Sequence, residues 1–171
     1  VNPTRDLVAS PSITEIKAGE QQLIRIIRIA PQNTAVEQTY RLLIDELPSS
    51  GQADAQTGLQ LLLQYSIPVF IQPTDSIAMR NGLTLLNQVN FQYQNQQLIV
   101  KNNAKSHIRI SELTYINPNG ERIPLINGLV GYALAGQSMR WDIPESKKIL
   151  PNGKFEARIN SDGLAQLLPI Q

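Results

Sequence analysis

The sequence predicts an all-β protein that is divided into two domains. Short apolar runs bounded by Pro, Gly, Asn and Ser recur along the chain, whereas long stretches of helical periodicity are nearly absent. This pattern is typical of β-sandwiches and β-barrels. A length of 171 residues suits two small β domains as well as one large domain. Residues 72–76 have the composition of a linker and precede a second set of short strands, so the boundary is predicted at residue 75.

Three strands are predicted in the first part of the chain, each an aliphatic or β-branched run that stops at a turn residue. The first runs into the turn sequence Ala-Gly-Glu, the second stops at Pro31, and the third stops at Pro48, where proline withdraws a donor from the ladder. The predicted strands are residues 13–17, 22–29 and 37–46, and a polar loop at 49–57 follows them.

The next segment, residues 58–71, is the most strongly patterned part of the chain. Six apolar side chains fall on one face by the two-residue period of a strand, while Gln60, Gln64 and Ser66 fall on the other. Pro68 has no backbone hydrogen to donate, so the strand is expected to lie at a sheet edge or to leave its sheet there. The apolar face consists of Leu59, Leu61, Leu63, Tyr65, Ile67 and Val69.

The second half of the chain repeats the β pattern. Residues 88–93 and 97–102 form a predicted hairpin around Asn95 and Gln96, and residues 108–116 alternate before the turn sequence Asn-Pro-Asn-Gly. Further strands are predicted at residues 130–134, 138–143 and 155–159.

Composition argues against several classes of function. A net charge of +1 with scattered basic residues gives no electrostatic footprint for nucleic acid. No apolar run approaches the roughly 20 residues of a membrane-spanning helix, so no membrane insertion is expected. The chain has no Cys and one histidine, His107, and it lacks the close ligand spacing of a metal site. We therefore predict no catalytic residue, metal or cofactor, and interpret His107 as a surface residue.

Two features remain open to a functional interpretation. The strand that carries Leu59 to Val69 is either an ordinary sandwich strand with its apolar face in its own core, or a strand that offers this face to a partner. Arg41 lies between Tyr40 and Leu42 in an otherwise aliphatic strand. It either points to solvent or provides a cation for an anionic partner.

The first 70 residues resemble the periplasmic pilus-assembly chaperones of the chaperone–usher pathway, the PapD-like family, and most closely its archaic or alternative Csu-type branch. The resemblance depends on the order and spacing of several motifs together. These are Ser-Pro at 10–11 leading to Ile-Lys-Ala-Gly-Glu at 16–20, Leu-Ile-Arg-Ile at 23–26, Tyr-Arg-Leu-Leu-Ile-Asp-Glu-Leu-Pro at 40–48 and Gln-Tyr-Ser-Ile-Pro-Val-Phe at 64–70.

The resemblance implies two immunoglobulin-like β-sandwich domains and a non-enzymatic function in the periplasm. Residues 1–75 would be the D to G strands of the pilin-binding domain, with the F strand at 37–47 and the G strand at 58–71, and residues 76–171 would be a smaller second sandwich. The opening A, B and C strands of the first domain are expected to be missing from this sequence. The implied partners are pilin subunits, which the G strand completes, and an outer-membrane usher.

The resemblance also assigns the candidate site residues. The donated positions are Leu59, Leu61 and Leu63, continued by Tyr65 and Ile67. The family holds the subunit's terminal carboxylate on basic residues, but the G-strand region here has no Lys. Arg41 is therefore the first candidate for the carboxylate anchor and Arg25 the second.

Two other classes of protein are alternatives to this interpretation. A structural or adhesive β-sandwich, such as a pilus subunit or cell-surface domain, would bury the apolar face of residues 59–69 in its own core. A sugar-processing enzyme would need paired carboxylates in a cleft, and the sequence shows no such spacing. An unpaired G strand also allows a self-capping homodimer.

Overall fold

The structure, a computed structural model, describes residues 2–29, 34–48, 61–73, 86–147, 149–160 and 163–170. The chain divides into two compact units, Val1–Asn33 and Thr34–Gln171. All named elements of the described residues are strands. They are β1 (Leu7–Ser10), β2 (Arg25–Arg28), β3 (Gln38–Asp45), β4 (Gln64–Ile71), β5 (Val89–Gln94), β6 (Gln97–Asn102), β7 (Ile108–Ile116), β8 (Arg122–Ala133), β9 (Ser138–Asp142), β10 (Lys154–Ile159) and β11 (Ala165–Leu167).

The first unit contains one antiparallel pair, in which β1 pairs with β2. The strand predicted at 13–17 is wrong, because this stretch belongs to the connection between β1 and β2 and leaves the side chains of Ile13 and Ile16 exposed. An alternating segment forms a strand only where another strand is available to pair with it. Here β1 pairs with β2, and residues 13–17 lie outside that pair. The predicted turn that follows is present, since the Glu20 N–H donates to the Lys17 carbonyl at 3.0 Å.

In the second unit, β3 and β4 form an antiparallel hairpin. Residues 38 to 45 pair with residues 71 to 64 without a register shift. The cross-strand pairs Tyr40–Val69 and Leu42–Ile67 therefore share one face, and Arg41–Pro68 lies on the other. The strand predicted at 37–46 is confirmed to within one residue at each end. Of the segment predicted at 58–71, residues 64–71 are strand, and residues 58–60 lie outside the described part.

The remaining strands form a sandwich of two antiparallel sheets, which we call the carboxy-terminal sandwich. One sheet has the order β11-β10-β7-β8 and the other the order β5-β6-β9. Alternate residues of both sheets fill a common core, as expected for aligned sheets packed face to face. The largest fully buried side chains include Tyr115, Phe91, Leu98, Ile108 and Ile110.

Most strand predictions for this sandwich are confirmed, but β8 is much longer than predicted. The predicted strand at 130–134 is the last part of β8, which begins at Arg122. Pro124 and Gly128 interrupt the apolar pattern in this stretch. Because β8 is an edge strand of its sheet, it tolerates the proline, and the register with β7 shifts around these positions. The short strand β11 was not predicted.

Gly153 provides a test of the sandwich packing. A Cβ at this position would overlap the ring of Tyr115, which is buried and donates its hydroxyl to the Leu150 carbonyl at 2.5 Å. We expect Gly153→Ala to lower the free energy of unfolding by about 1–3 kcal/mol, since overpacking displaces the buried ring. Gly163→Ala is the matched control, because nothing lies within 4 Å of a Cβ there. Equal urea midpoints for the two variants would contradict this packing.

Candidate functional site

One face of the β3–β4 hairpin is apolar. Tyr65 and Ile67 of β4 lie directly across from Ile44 and Leu42 of β3, so the four side chains share this face. Tyr65 is 57% exposed and Ile67 is 44% exposed, values that are unusual for side chains of an alternating apolar strand. We call the surface formed by Leu61, Leu63, Tyr65 and Ile67 the apolar face of β4.

The segment before β4 continues this surface. Leu61 is 68% exposed and Leu63 is 49% exposed, and both share the parity of Tyr65. Leu63 extends the ladder by one pair, because its carbonyl accepts the Glu46 N–H at 2.9 Å and its own N–H donates to the Glu46 carboxylate at 3.1 Å. Leu59, the first predicted position, lies outside the described residues.

The backbone of β4 points its hydrogen-bonding groups alternately toward β3 and away from it. Leu63 is hydrogen-bonded across the ladder to Glu46. The backbone N–H and C=O groups of the odd-numbered residues of β4 therefore point toward β3, and those of the even-numbered residues point away from it. Pro68 agrees with this assignment, because the ladder continues through it without a shift although proline has no N–H to contribute. No other strand of the described residues pairs with β4, so the outward groups form a free edge. The expectation of an edge strand at Pro68 is thus confirmed in that part of the chain.

Arg41 lies on the opposite face of the hairpin from Tyr65 and Ile67. It stands directly across from Pro68, and its Nη1 donates to the Ser66 hydroxyl at 3.0 Å. The side chain is exposed, so the guanidinium retains donors for an anionic group. Arg25, the second candidate, is the exposed first residue of β2 in the other unit, where it pairs with Ser10. The structure therefore places Arg41 beside the free edge of β4 and describes Arg25 only within its own hairpin.

The base of the hairpin is attached to the carboxy-terminal sandwich by a group of contacts that we call the joint. Phe70 of β4 stacks on the imidazole of His107, with ring centroids 3.6 Å apart, and lies 5.3 Å from the Tyr132 ring. The Glu37 Oε1 accepts the His107 backbone N–H at 3.1 Å and contacts Nδ1 at 2.8 Å. The Glu37 backbone N–H donates to the Lys105 carbonyl at 2.9 Å. The interpretation of His107 as a surface residue is wrong, since only 19% of its side chain is exposed.

No local pattern in the sequence indicates this joint. Glu37 and His107 are separated by 70 positions, and each lies immediately before a strand, where polar residues are common. Glu37 is buried, with no exposed side-chain surface, and carboxylates are rarely buried unless, as here with His107, they have a close partner. A glutamate preceding an aliphatic strand is ordinarily interpreted as a solvated strand end, so its burial depends on the tertiary arrangement.

Other kinds of site find little support in the described residues. There, no group of three His, Cys, Asp or Glu side chains is arranged to hold a metal ion. In the same part of the chain, no helix has the length and apolar character needed to cross a membrane.

Comparison with known proteins shows a common fold. Residues 1–76 match the family described as pili and flagellar-assembly chaperone, PapD N-terminal domain. The chain superposes on the crystal structure of YadV chaperone with a TM-score of 0.67 at 17% identity, covering 95% of this chain and 76% of that one. The corresponding values for the Escherichia coli chaperone DraB are 0.63, 16%, 97% and 75%.

A third similar structure is the CsuC–CsuE chaperone–tip adhesion subunit pre-assembly complex from archaic chaperone-usher Csu pili of Acinetobacter baumannii. Its TM-score is 0.62 at 24% identity, covering 98% of this chain and 74% of that one. A search of the curated proteins found no match. The predicted fold class, all-β with two immunoglobulin-like sandwiches, is confirmed by these similarities.

The contacts of the joint should contribute to the free energy of unfolding. Glu37→Ala removes the acceptor of the His107 backbone N–H, so we expect the free energy of unfolding to fall by about 1–3 kcal/mol, the usual cost of an unsatisfied buried donor. Amide exchange should also become faster in β3 and β4. The control is Glu145→Ala at an exposed glutamate, which should stay within about 0.5 kcal/mol of the unaltered chain. A loss of equal size in both variants would show that the joint does not hold the hairpin.

Proposed function

We propose that the chain is a periplasmic chaperone for pilus subunits, because residues 1–76 match the PapD amino-terminal domain family and the fold is that of the YadV chaperone. In this proposal it completes an incomplete pilin by donor-strand complementation through β4 and delivers the subunit to an outer-membrane usher. Residues 1–75 belong to the subunit-binding domain and residues 76–171 form the second domain. The function is non-enzymatic and requires no cofactor.

The observation that carries the proposal is the free edge of β4 next to an exposed apolar face. A strand with unpaired N–H and C=O groups can add to an incomplete sheet, while its alternate side chains enter the groove left by a missing strand. Pilin capture by chaperones is a known example of this β-augmentation. CsuC, which shares the fold, was crystallised in complex with the subunit CsuE. Together these observations support a pilin as the partner of β4.

The apolar face has enough area to act as an anchor. Full burial of an aliphatic side chain contributes about 1.5–3 kcal/mol, so Leu61, Leu63 and Ile67 together offset a substantial part of the cost of association. Leu59 would add a fourth position. In a structural or adhesive sandwich this strand would bury the same side chains in its own core. The exposure of Leu61 and Leu63 favours donation over that alternative.

Arg41 is the proposed anchor for the subunit's terminal carboxylate, with Arg25 as the weaker candidate. Arg41 of β3 lies across from Pro68 of β4, and β4 itself has no lysine. A planar guanidinium pairs with a carboxylate through two parallel hydrogen bonds. In the absence of a subunit, the same edge of β4 would let two copies of the chain cap each other.

A charge introduced into the apolar face tests whether this face binds the subunit. Leu61→Glu should weaken the capture of a pilin subunit by at least about tenfold, because a charge replaces a side chain that contributes roughly 1.5–3 kcal/mol on burial. Leu62→Glu is the matched control, since it adds the same charge at the neighbouring exposed position of opposite parity. Capture is measured as the yield of complex from co-expression in a periplasm. An equal loss in both variants would contradict the assignment of the face.

Substitution of Arg41 tests the proposed carboxylate anchor. Arg41→Ala should reduce affinity for the subunit by about tenfold, the effect of losing a charge-assisted hydrogen bond worth about 1.5 kcal/mol or more. Arg41→Lys should retain part of the affinity, because a point charge replaces a bidentate group. Arg25→Ala should have a smaller effect. If Arg41→Ala binds as tightly as the unaltered chain, Arg41 is not part of the site.

A further inference from the structure

The free edge of β4 is interrupted at one position. The outward-facing residues are Gln64, Ser66, Pro68 and Phe70, as the Glu46–Leu63 bond and the unbroken register require. Gln64 and Ser66 each offer an N–H and a C=O to a neighbouring strand, whereas Pro68 offers a carbonyl only. The row of donors therefore has a gap two residues after Ser66.

Beyond this gap, the strand belongs to the joint. Phe70, the next outward-facing residue, packs its ring on His107 and near Tyr132. The end of β4 is thus held against the carboxy-terminal sandwich. A strand that adds to β4 meets first a position without a donor and then a segment that is already attached to a neighbouring element.

We infer that Pro68 fixes the register of the added pilin strand by ending the usable edge of β4. A pilin strand pairs with the outward backbone groups of Gln64 and Ser66, together with those of Leu62 where the ladder continues. It does not pair past Pro68, because a pilin carbonyl placed there would be buried without a donor. This inference rests on the proposed function and adds the register of the pairing and the residue that determines it.

The side chains and the backbone of β4 have separate functions in this arrangement. Leu63, Tyr65 and Ile67 point their backbone groups at β3 and their side chains to the apolar face, so they contribute burial. Leu61 precedes them on the same two-residue period and is exposed. The residues between them contribute backbone hydrogen bonds. A substitution can therefore remove an outward donor without changing the apolar face or the ladder to β3.

Ser66→Pro and Ser66→Ala separate the backbone donor from the side chain. Ser66→Pro removes an outward N–H, and Pro68 shows that an outward-facing position in this strand accepts the ring. Ser66→Ala removes the hydroxyl that accepts from Arg41 but keeps the N–H. Each full-length variant is co-expressed in a periplasm with a panel of pilin subunits, one subunit at a time.

We expect Ser66→Pro to weaken capture by about tenfold or more, because one pilin carbonyl loses its donor. Ser66→Ala, which keeps the N–H and loses only the hydroxyl bonded to Arg41, should weaken capture clearly less than Ser66→Pro does. Pro68→Ala, which restores the missing donor, should capture at least as well as the unaltered chain. Slow amide exchange at Tyr65 and Ile67 in free Ser66→Pro shows that the hairpin is intact. If that variant does not keep slow exchange, Gln64→Pro replaces it in the same assay.

Two results would overturn the inference about the edge and Pro68, and a third would overturn the proposed function. Capture by an intact Ser66→Pro variant at the level of the unaltered chain would show that pairing does not use the outward edge, while leaving the proposed function in place. A tenfold loss in Pro68→Ala would show that Pro68 acts in another way. Failure of the unaltered chain to capture any subunit of the panel would contradict the proposed function itself.

Discussion

The pairing of β4 with β3 along one side is the constraint on which the candidate site depends. Because β3 satisfies the odd-numbered backbone groups, the even-numbered groups remain available, and the two-residue period places the apolar side chains on the odd positions. An exposed edge of this kind promotes association with any other strand. Proline on an edge limits such association, so Pro68 both restricts the available edge and directs a partner to the residues before it.

The joint gives this edge a fixed base. Phe70, His107 and Glu37 connect the end of the hairpin to the carboxy-terminal sandwich through ring stacking and hydrogen bonds. A strand that pairs with a partner protein loses less conformational entropy on binding when one of its ends is already ordered. The Glu37 carboxylate is buried at this place with only its Oε1 bonded to His107, while its Oε2 has no hydrogen-bond partner among the described residues, so the bonds to His107 offset only part of the cost of burying it.

The sequence predicted those parts of the structure that local patterns determine. Alternation and turn residues located the hairpin of β5 and β6 and the full length of β7, and Pro68 indicated an edge strand. The segment 13–17 has the pattern of a strand but no ladder partner, and Pro124 and Gly128 concealed the first part of β8. The contact between Glu37 and His107 joins residues far apart in the chain, so no local pattern could reveal it. The PapD-like resemblance is confirmed, while the donated side chains and Arg41 stay predictions.

Residue-resolved amide exchange of the chain, free and in complex with a pilin subunit, tests strand donation most directly. In the free chain, at a concentration where it is monomeric, the amides of Tyr65 and Ile67 should exchange slowly, since they bond to β3, and those of Gln64 and Ser66 should exchange fast. We expect amide exchange at Gln64 and Ser66 to slow selectively in the complex, by about tenfold or more. Unchanged exchange at these two amides in a stoichiometric complex would contradict donation through β4.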